Sequence, residues 1–138
     1  MAYDLERFVA AQEGVYDGVL RELRSGLKTG HWIWFVFPQI AGLGVGSTSR
    51  YYSIASLDEA RTYLAHPVLG VRLRECAGLV LATRSRTADE IFGPLDAMKL
   101  RSSMTLFHRA EPDEPVFEQM LVRFFGGVAD EATDARLE

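Results

Sequence analysis

At 138 residues, 48% hydrophobic and with a formal net charge of −4, the chain is long enough to bury one core and too short for two domains. A lone cysteine, Cys76, excludes an intramolecular disulfide and points to a reducing, cytoplasmic setting. The opening MAYDLERFVAAQ lacks the basic and apolar regions of a secretory leader, and no run approaches the ~20 apolar residues of a membrane span.

The charge is uneven along the chain. Residues 21–109 carry 12 Lys and Arg against 7 Asp and Glu, and residues 110–138 carry 2 against 8. Such an excess is too small for extended nucleic acid, where many phosphates are neutralised together, but it suits one small anion. A solvated surface accounts for it equally.

In chain order, residues 4–25 set Leu5, Phe8, Val9, Val15, Tyr16, Val19, Leu20 and Leu23 at three- and four-residue spacing, which predicts one helix stopped by Gly26. Ile33 to Phe37, ended by Pro38, reads as a short helix, with a buried strand as the alternative. Gly42, Gly44 and Gly46 alternate with Leu43 and Val45 and predict a loop that Ser47, Thr48 and Ser49 extend. Ser56 and Glu59 have the spacing of a capping box, opening a helix to about Ala65.

After Pro67 a helix over Val68 to Thr83 turns Leu69, Leu73, Cys76, Ala77, Val80 and Leu81 inward. Thr87 and Glu90 repeat the capping spacing before a short helix that Gly93 closes, and Pro94 opens the next, to Ala110. Pro115 to Phe125 forms the last strong helix, stopped by Gly126 and Gly127. From about residue 128 the acidic tail is expected to be weakly ordered, adding one weak turn. Five or six helices without a hairpin or internal repeat predict an all-α, compact single domain over residues 1–138.

Residues with chemical potential are scattered. His31, His66 and His108 stand far apart, and none lies in a metal-binding spacing, so no metal is expected. His66, just before Pro67, reads as a cap at the carboxyl end of the preceding helix, where a cationic ring is favoured. His31 is the better functional candidate. Trp32 and Trp34 share a face in a strand and splay by about 200° in a helix, so one or both serve the core, and the other reading stacks a ring on a planar ligand.

The run Gly42 to Ser47 turns backbone N–H groups toward an anion or merely reverses the chain, and it matches no established phosphate loop. Thr48 and Arg50 would add a hydroxyl and a forked cation. Asp96, Lys99, Ser102 and Ser103 align as one polar stripe on their helix. Its plain reading is a solvated face, and its functional reading makes Lys99 a cation or base and Ser102 or Ser103 a hydrogen-bonding group or nucleophile. The pairs Asp58-Glu59 and Asp89-Glu90 fall in first helical turns, where capping explains them. Arg72 and Arg74 diverge around Leu73, leaving Arg72 the arginine to test.

The segments RFVAAQ (Arg7 to Gln12), HWIWFVFPQIAGLG (His31 to Gly44), YLAHPVLGVRL (Tyr63 to Leu73), IFGPLDAMKLRSSMTLF (Ile91 to Phe107) and FFGGVADEAT together closely resemble the bacterial family known as domain of unknown function 1810. The resemblance runs from about Phe8 to Thr133 and implies a compact, mainly helical single domain. It brings no established active site. Some members are described as calpastatin-like, but nothing in this chain has the extended or disordered character of an inhibitory segment. A more distant likeness to helical domains that process ADP-ribose derivatives is one of fold only.

The expectation is therefore a pocket, formed where the aromatic and glycine-rich segment meets the Asp96 to Ser103 stripe, for a small anionic, nucleotide-like ligand of ADP-ribose type. Trp32 or Trp34 would stack, and the Gly44 to Thr48 backbone with Arg50 and Lys99 would hold the anion. Were the ligand hydrolysed, Asp96 or His31 would move a proton. No cofactor is expected. The rival reading is a non-catalytic interaction or self-association module, so whether the chain is an enzyme stays open at this point.

Overall fold

The computed structural model describes residues 3–138, and among them ten helices and no strand. They are α1 (Glu6–Gln12), α2 (Tyr16–Ser25), α3 (Ile33–Val36), α4 (Ser47–Tyr51), α5 (Leu57–Ala65), α6 (Leu69–Ala82), α7 (Ala88–Phe92), α8 (Pro94–Ala110), α9 (Pro115–Phe125) and α10 (Glu131–Leu137). The all-α class holds, and the number of helices exceeds the five or six expected.

Three of the additional helices arise at places read otherwise from the sequence. The first predicted helix breaks after Gln12, where Glu13 is extended and Gly14 takes φ 75°. Gly14 supplies the left-handed turn that ends the helix, and buried Gln12, its last residue, donates to the Phe35 carbonyl at 2.8 Å and accepts from Arg72 at 3.1 Å. Both bonds satisfy a polar side chain that lies buried among apolar neighbours. Next, the hydroxyls at Ser47 to Ser49 belong to a short helix rather than to the loop. Last, the acidic end, where one weak turn was expected, carries α10.

The centre of the molecule is α8, seventeen residues that open on Pro94 at the first helical position and pack against α3, α5, α7, α9 and α10. Ala97, Leu100, Met104, Leu106, Phe107 and Ala110 of this helix are buried. Around them Tyr63 and Phe117 set their rings 5.4 and 5.9 Å from Phe107, which gives the core aromatic contacts as well as aliphatic ones. The predicted capping box at Thr87 and Glu90 is complete. At Ser56 only half of it forms: its hydroxyl accepts from Glu59 N, while the Glu59 carboxylate takes Ala55 N at 2.7 Å and pairs with Arg7 at 3.1 Å.

His66 caps with the opposite polarity to that expected. Its Nδ1 accepts from Val68 N and Leu69 N at 3.1 and 3.2 Å, so it serves the start of α6 through a lone pair and not the end of α5 through a positive charge. No described helix is long and apolar enough to cross a membrane.

Candidate functional site

α3 is a single turn whose N-cap is Trp32, and it sends the two indoles to different places. Trp32 is buried, packs on Phe37 and Phe92, and donates its N–H to Glu22 at 3.0 Å. Glu22 also takes the amides of Thr29 at 2.7 Å and Gly30 at 2.9 Å. Partial burial works to raise its pKa, but these donors outweigh burial and hold the carboxyl below the usual glutamate value. Trp32 is therefore core, and Trp34 alone of the pair reaches a ligand-accessible surface.

From this knot a chain of charges leads outward. Lys28, its side chain only 4% exposed, lies 5.0 Å from the Trp32 ring and donates to Asp96 Oδ2 at 2.6 Å. Asp96 Oδ1 takes Lys99 Nζ at 3.3 Å, and that ammonium sits 4.7 Å from the centre of the Trp34 ring. Two lysines occupy both oxygens of Asp96, so it positions Lys99 and is not placed to move protons.

The facing wall is the loop over residues 42–46 and α4. Arg50 ties it by donating to the Val45 carbonyl at 2.7 Å. Glycine at residue 44 lets the loop close on α4, since a Cβ there would lie 1.7 Å from Ser49 Oγ and 2.6 Å from Ser49 Cβ and would push the two apart. The third wall is the start of α10. Asp130 caps that helix, accepting from Thr133 N at 3.0 Å, and its own N–H donates to Thr105 Oγ1 at 2.9 Å.

Between the walls lies a cleft of about 700 Å³, the size of many small-molecule sites. Trp34, Gly44, Ser47, Thr48, Lys99 and Ser102, all expected at a site, line it together. Its rim is apolar and open: Val45, Leu95 and Met98 are 91%, 73% and 67% exposed.

The remaining nominated residues stand elsewhere. His31 is exposed and outside the cleft. Ser103 is fully buried, its hydroxyl without a hydrogen-bond partner and off the cleft wall. Arg50 borders a separate space of only about 10 Å³ under the loop. Arg72 points to another side, 4.5 Å from the Tyr16 ring and bonded to Gln12. Burial pushes the neighbouring Cys76 thiol up to about 12, which makes it inert.

Sequence reasoning missed Gln39, Leu43, Ser49, Leu95, Met98, Arg101, Asp130 and Ala132 as lining residues. A signal existed for two of them. Leu95 and Met98 are apolar residues one turn apart on the polar side of α8, and such a pair without a core partner marks a surface that something else covers.

Comparisons with known proteins place the whole chain. A search of curated proteins finds no match. Among solved structures, the crystal structure of the conserved hypothetical protein Rv1873 from Mycobacterium tuberculosis is similar with a TM-score of 0.97 and 52% identity, over 98% of this chain and 96% of that one. The family model described as protein of unknown function (DUF1810) matches residues 2–137, and the chain belongs to that family.

Proposed function

We propose that the protein binds a small anionic, nucleotide-like ligand in the cleft between the glycine-rich loop, α8 and α10. The observation that carries this reading is convergence: an indole, a lysine, four hydroxyls and a glycine-rich turn, drawn from segments far apart in sequence, line one cleft of about 700 Å³. Trp34 would offer a ring face and edge to a planar group, Lys99 a charge fixed by Asp96, and Ser47 and Thr48 hydroxyls for anionic oxygens. The reading is of binding and does not extend to hydrolysis, because His31, Asp96 and Ser103 do not meet in the cleft. A reducing cytoplasmic setting fits the buried thiol of Cys76.

A thermal-shift panel of AMP, ADP-ribose, NAD and sugar phosphates tests it. A ligand present at ~100 times its Kd stabilises the native state by about 2.7 kcal/mol, and each kcal/mol raises the Tm of a domain of this size by about 2–4 °C. The expected result is a shift with at least one panel member that Lys99→Ala removes while the unliganded Tm stays nearly constant. A flat panel overturns the proposal.

The exposed rim of Val45, Leu95 and Met98 favours a second reading, a protein-interaction surface, without the cleft ligand. Under it, Leu95→Ser with Met98→Ser would change the oligomeric state seen by light scattering and Lys99→Ala would not.

A further inference from the structure

Asp130 is an unexpected wall residue for an anion site, because a carboxylate repels the ligand's charge. Capping α10 does not require that charge, since asparagine caps a helix equally well. Nor does capping use the whole group. Thr133 N, Thr133 Oγ1 and Ser102 Oγ all approach Oδ2, at 3.0, 2.6 and 3.2 Å, and Oδ1 takes no hydrogen bond among the described residues. An ionised carboxylate has about four acceptor sites, so Asp130 keeps capacity to spare at the cleft.

The group is also held rigid. Its N–H is anchored on Thr105 at 2.9 Å, and Arg101 grips the carbonyls of Val128 and Ala129 at 2.9 and 3.3 Å. The Arg101 guanidinium beside it makes the spot poor for a ligand ammonium, which would meet a positive charge there. A neutral hydroxyl donor meets no such repulsion. Ser102, one turn beyond Lys99 on α8, complements it: its single hydroxyl proton is shared between the Met98 carbonyl at 3.1 Å and Asp130, which leaves its lone pairs able to accept.

The geometry points to Asp130 and Ser102 as the specificity-determining pair of the cleft, taking a vicinal diol, so that the ligand class is a ribosyl phosphate rather than a bare or deoxy anion. The inference rests on the anion-binding reading above. One diol hydroxyl donates to Asp130 Oδ1 and its neighbour donates to Ser102 Oγ, while the anionic group reaches Lys99 one helical turn away. A carboxylate that accepts from ribose hydroxyls is a recurrent solution in nucleotide-binding folds.

The test is titration calorimetry of the full chain with AMP, 2′,3′-dideoxy-AMP and phosphoethanolamine, on the native protein, Asp130→Asn, Ser102→Ala and Lys99→Ala. AMP should bind at least about tenfold more tightly than dideoxy-AMP, as expected for a hydrogen bond to a charged acceptor. Asp130→Asn, which keeps the cap, should erase that ratio without weakening dideoxy-AMP. Ser102→Ala removes one donor to Asp130 but keeps both cap bonds from Thr133, and it should narrow the ratio too, so the proposal stays testable if the first variant is unstable.

Lys99→Ala should weaken both nucleotides alike. Equal affinity for AMP and dideoxy-AMP in the native protein overturns the diol assignment and leaves the anion reading standing. Tighter binding of phosphoethanolamine than AMP, lost in Asp130→Asn, overturns it in favour of an ammonium. No binding by any probe brings down both readings.

Discussion

On a helical turn, residues two apart point about 200° from one another, and at Trp32 and Trp34 that divergence separates stability from binding. Trp32 fills the core and satisfies its N–H on Glu22, so Trp32→Ala should cost about 3–5 kcal/mol. Trp34→Ala, half-buried at the cleft, should cost clearly less than Trp32→Ala and abolish the ligand-induced thermal shift. Urea denaturation of the two variants checks this, and equal losses would refute the division. Glu22 carries a pH signature.

Because its folded pKa lies below the ordinary value of 4.5, its stabilisation is complete above that value and is lost as pH falls through the lowered one. Glu22→Gln should therefore destabilise at pH 7, by about 1–2 kcal/mol after allowance for partial exposure. The gap from the native protein should close in acid. A gap that stays constant from pH 7 to pH 3 would mean that the carboxylate charge contributes nothing.

Among the elements, α5 and α6 approach so closely that a Cβ on Gly70 would lie 2.0 Å from the Leu64 carbonyl oxygen, which is backbone and cannot swing aside. Gly78, in the same helix, is exposed and has open space around its Cβ position. Alanine should then have opposite signs at the two sites in thermal melts: a loss of more than about 2 kcal/mol at Gly70, and a gain of about 0.5–1 kcal/mol at Gly78 from better helix propensity. Two losses, or two gains, would contradict the packing described. The long helices were legible because periodicity, prolines and caps are local: Pro94, the Thr87 box and Gly126 mark ends by themselves.

The break after Gln12 had a local mark in Gly14, whereas the anchoring of Gln12 on Phe35 and Arg72, distant in sequence, had none. The same distinction runs through the site. Trp34, Gly44, Lys99 and Ser102 were recognisable by residue type and spacing, whereas Asp130 enters only because α10 folds back onto α8. Its N-cap spacing to Thr133 was present in the sequence, but the acidic composition around it masked the signal.

At the scale of the whole molecule, the last helix ties α8 to the glycine-rich loop. Arg109 of α8 holds Asp134 through two hydrogen bonds of 2.9 and 3.0 Å, and Arg136 reaches the Gly42 carbonyl at 3.2 Å across 94 residues of sequence. Each of these contacts is partly exposed and contributes under about 1 kcal/mol alone, so α10 is held by their sum with the Asp130 cap and the packing of buried Thr133 and half-buried Leu137. An element held this way opens locally well before the core does. The hydrogen bond from Arg109 keeps the Asp134 carboxyl below its ordinary value of 3.8, so this tie is intact above that value and fails as pH drops through the lowered one.

Arg109→Gln should reproduce the acid-weakened state at neutral pH. Amides of residues 131–137 should exchange severalfold faster with deuterium while those of α8 and α9 keep their protection and the Tm falls by no more than a few degrees. Since Asp130 and Ala132 form part of the cleft wall, the same variant should also bind the cleft ligand severalfold more weakly without any change in Lys99 or Trp34. Unchanged exchange in α10, or faster exchange spread evenly over the chain, would show that this helix is welded to the core rather than clasped to it.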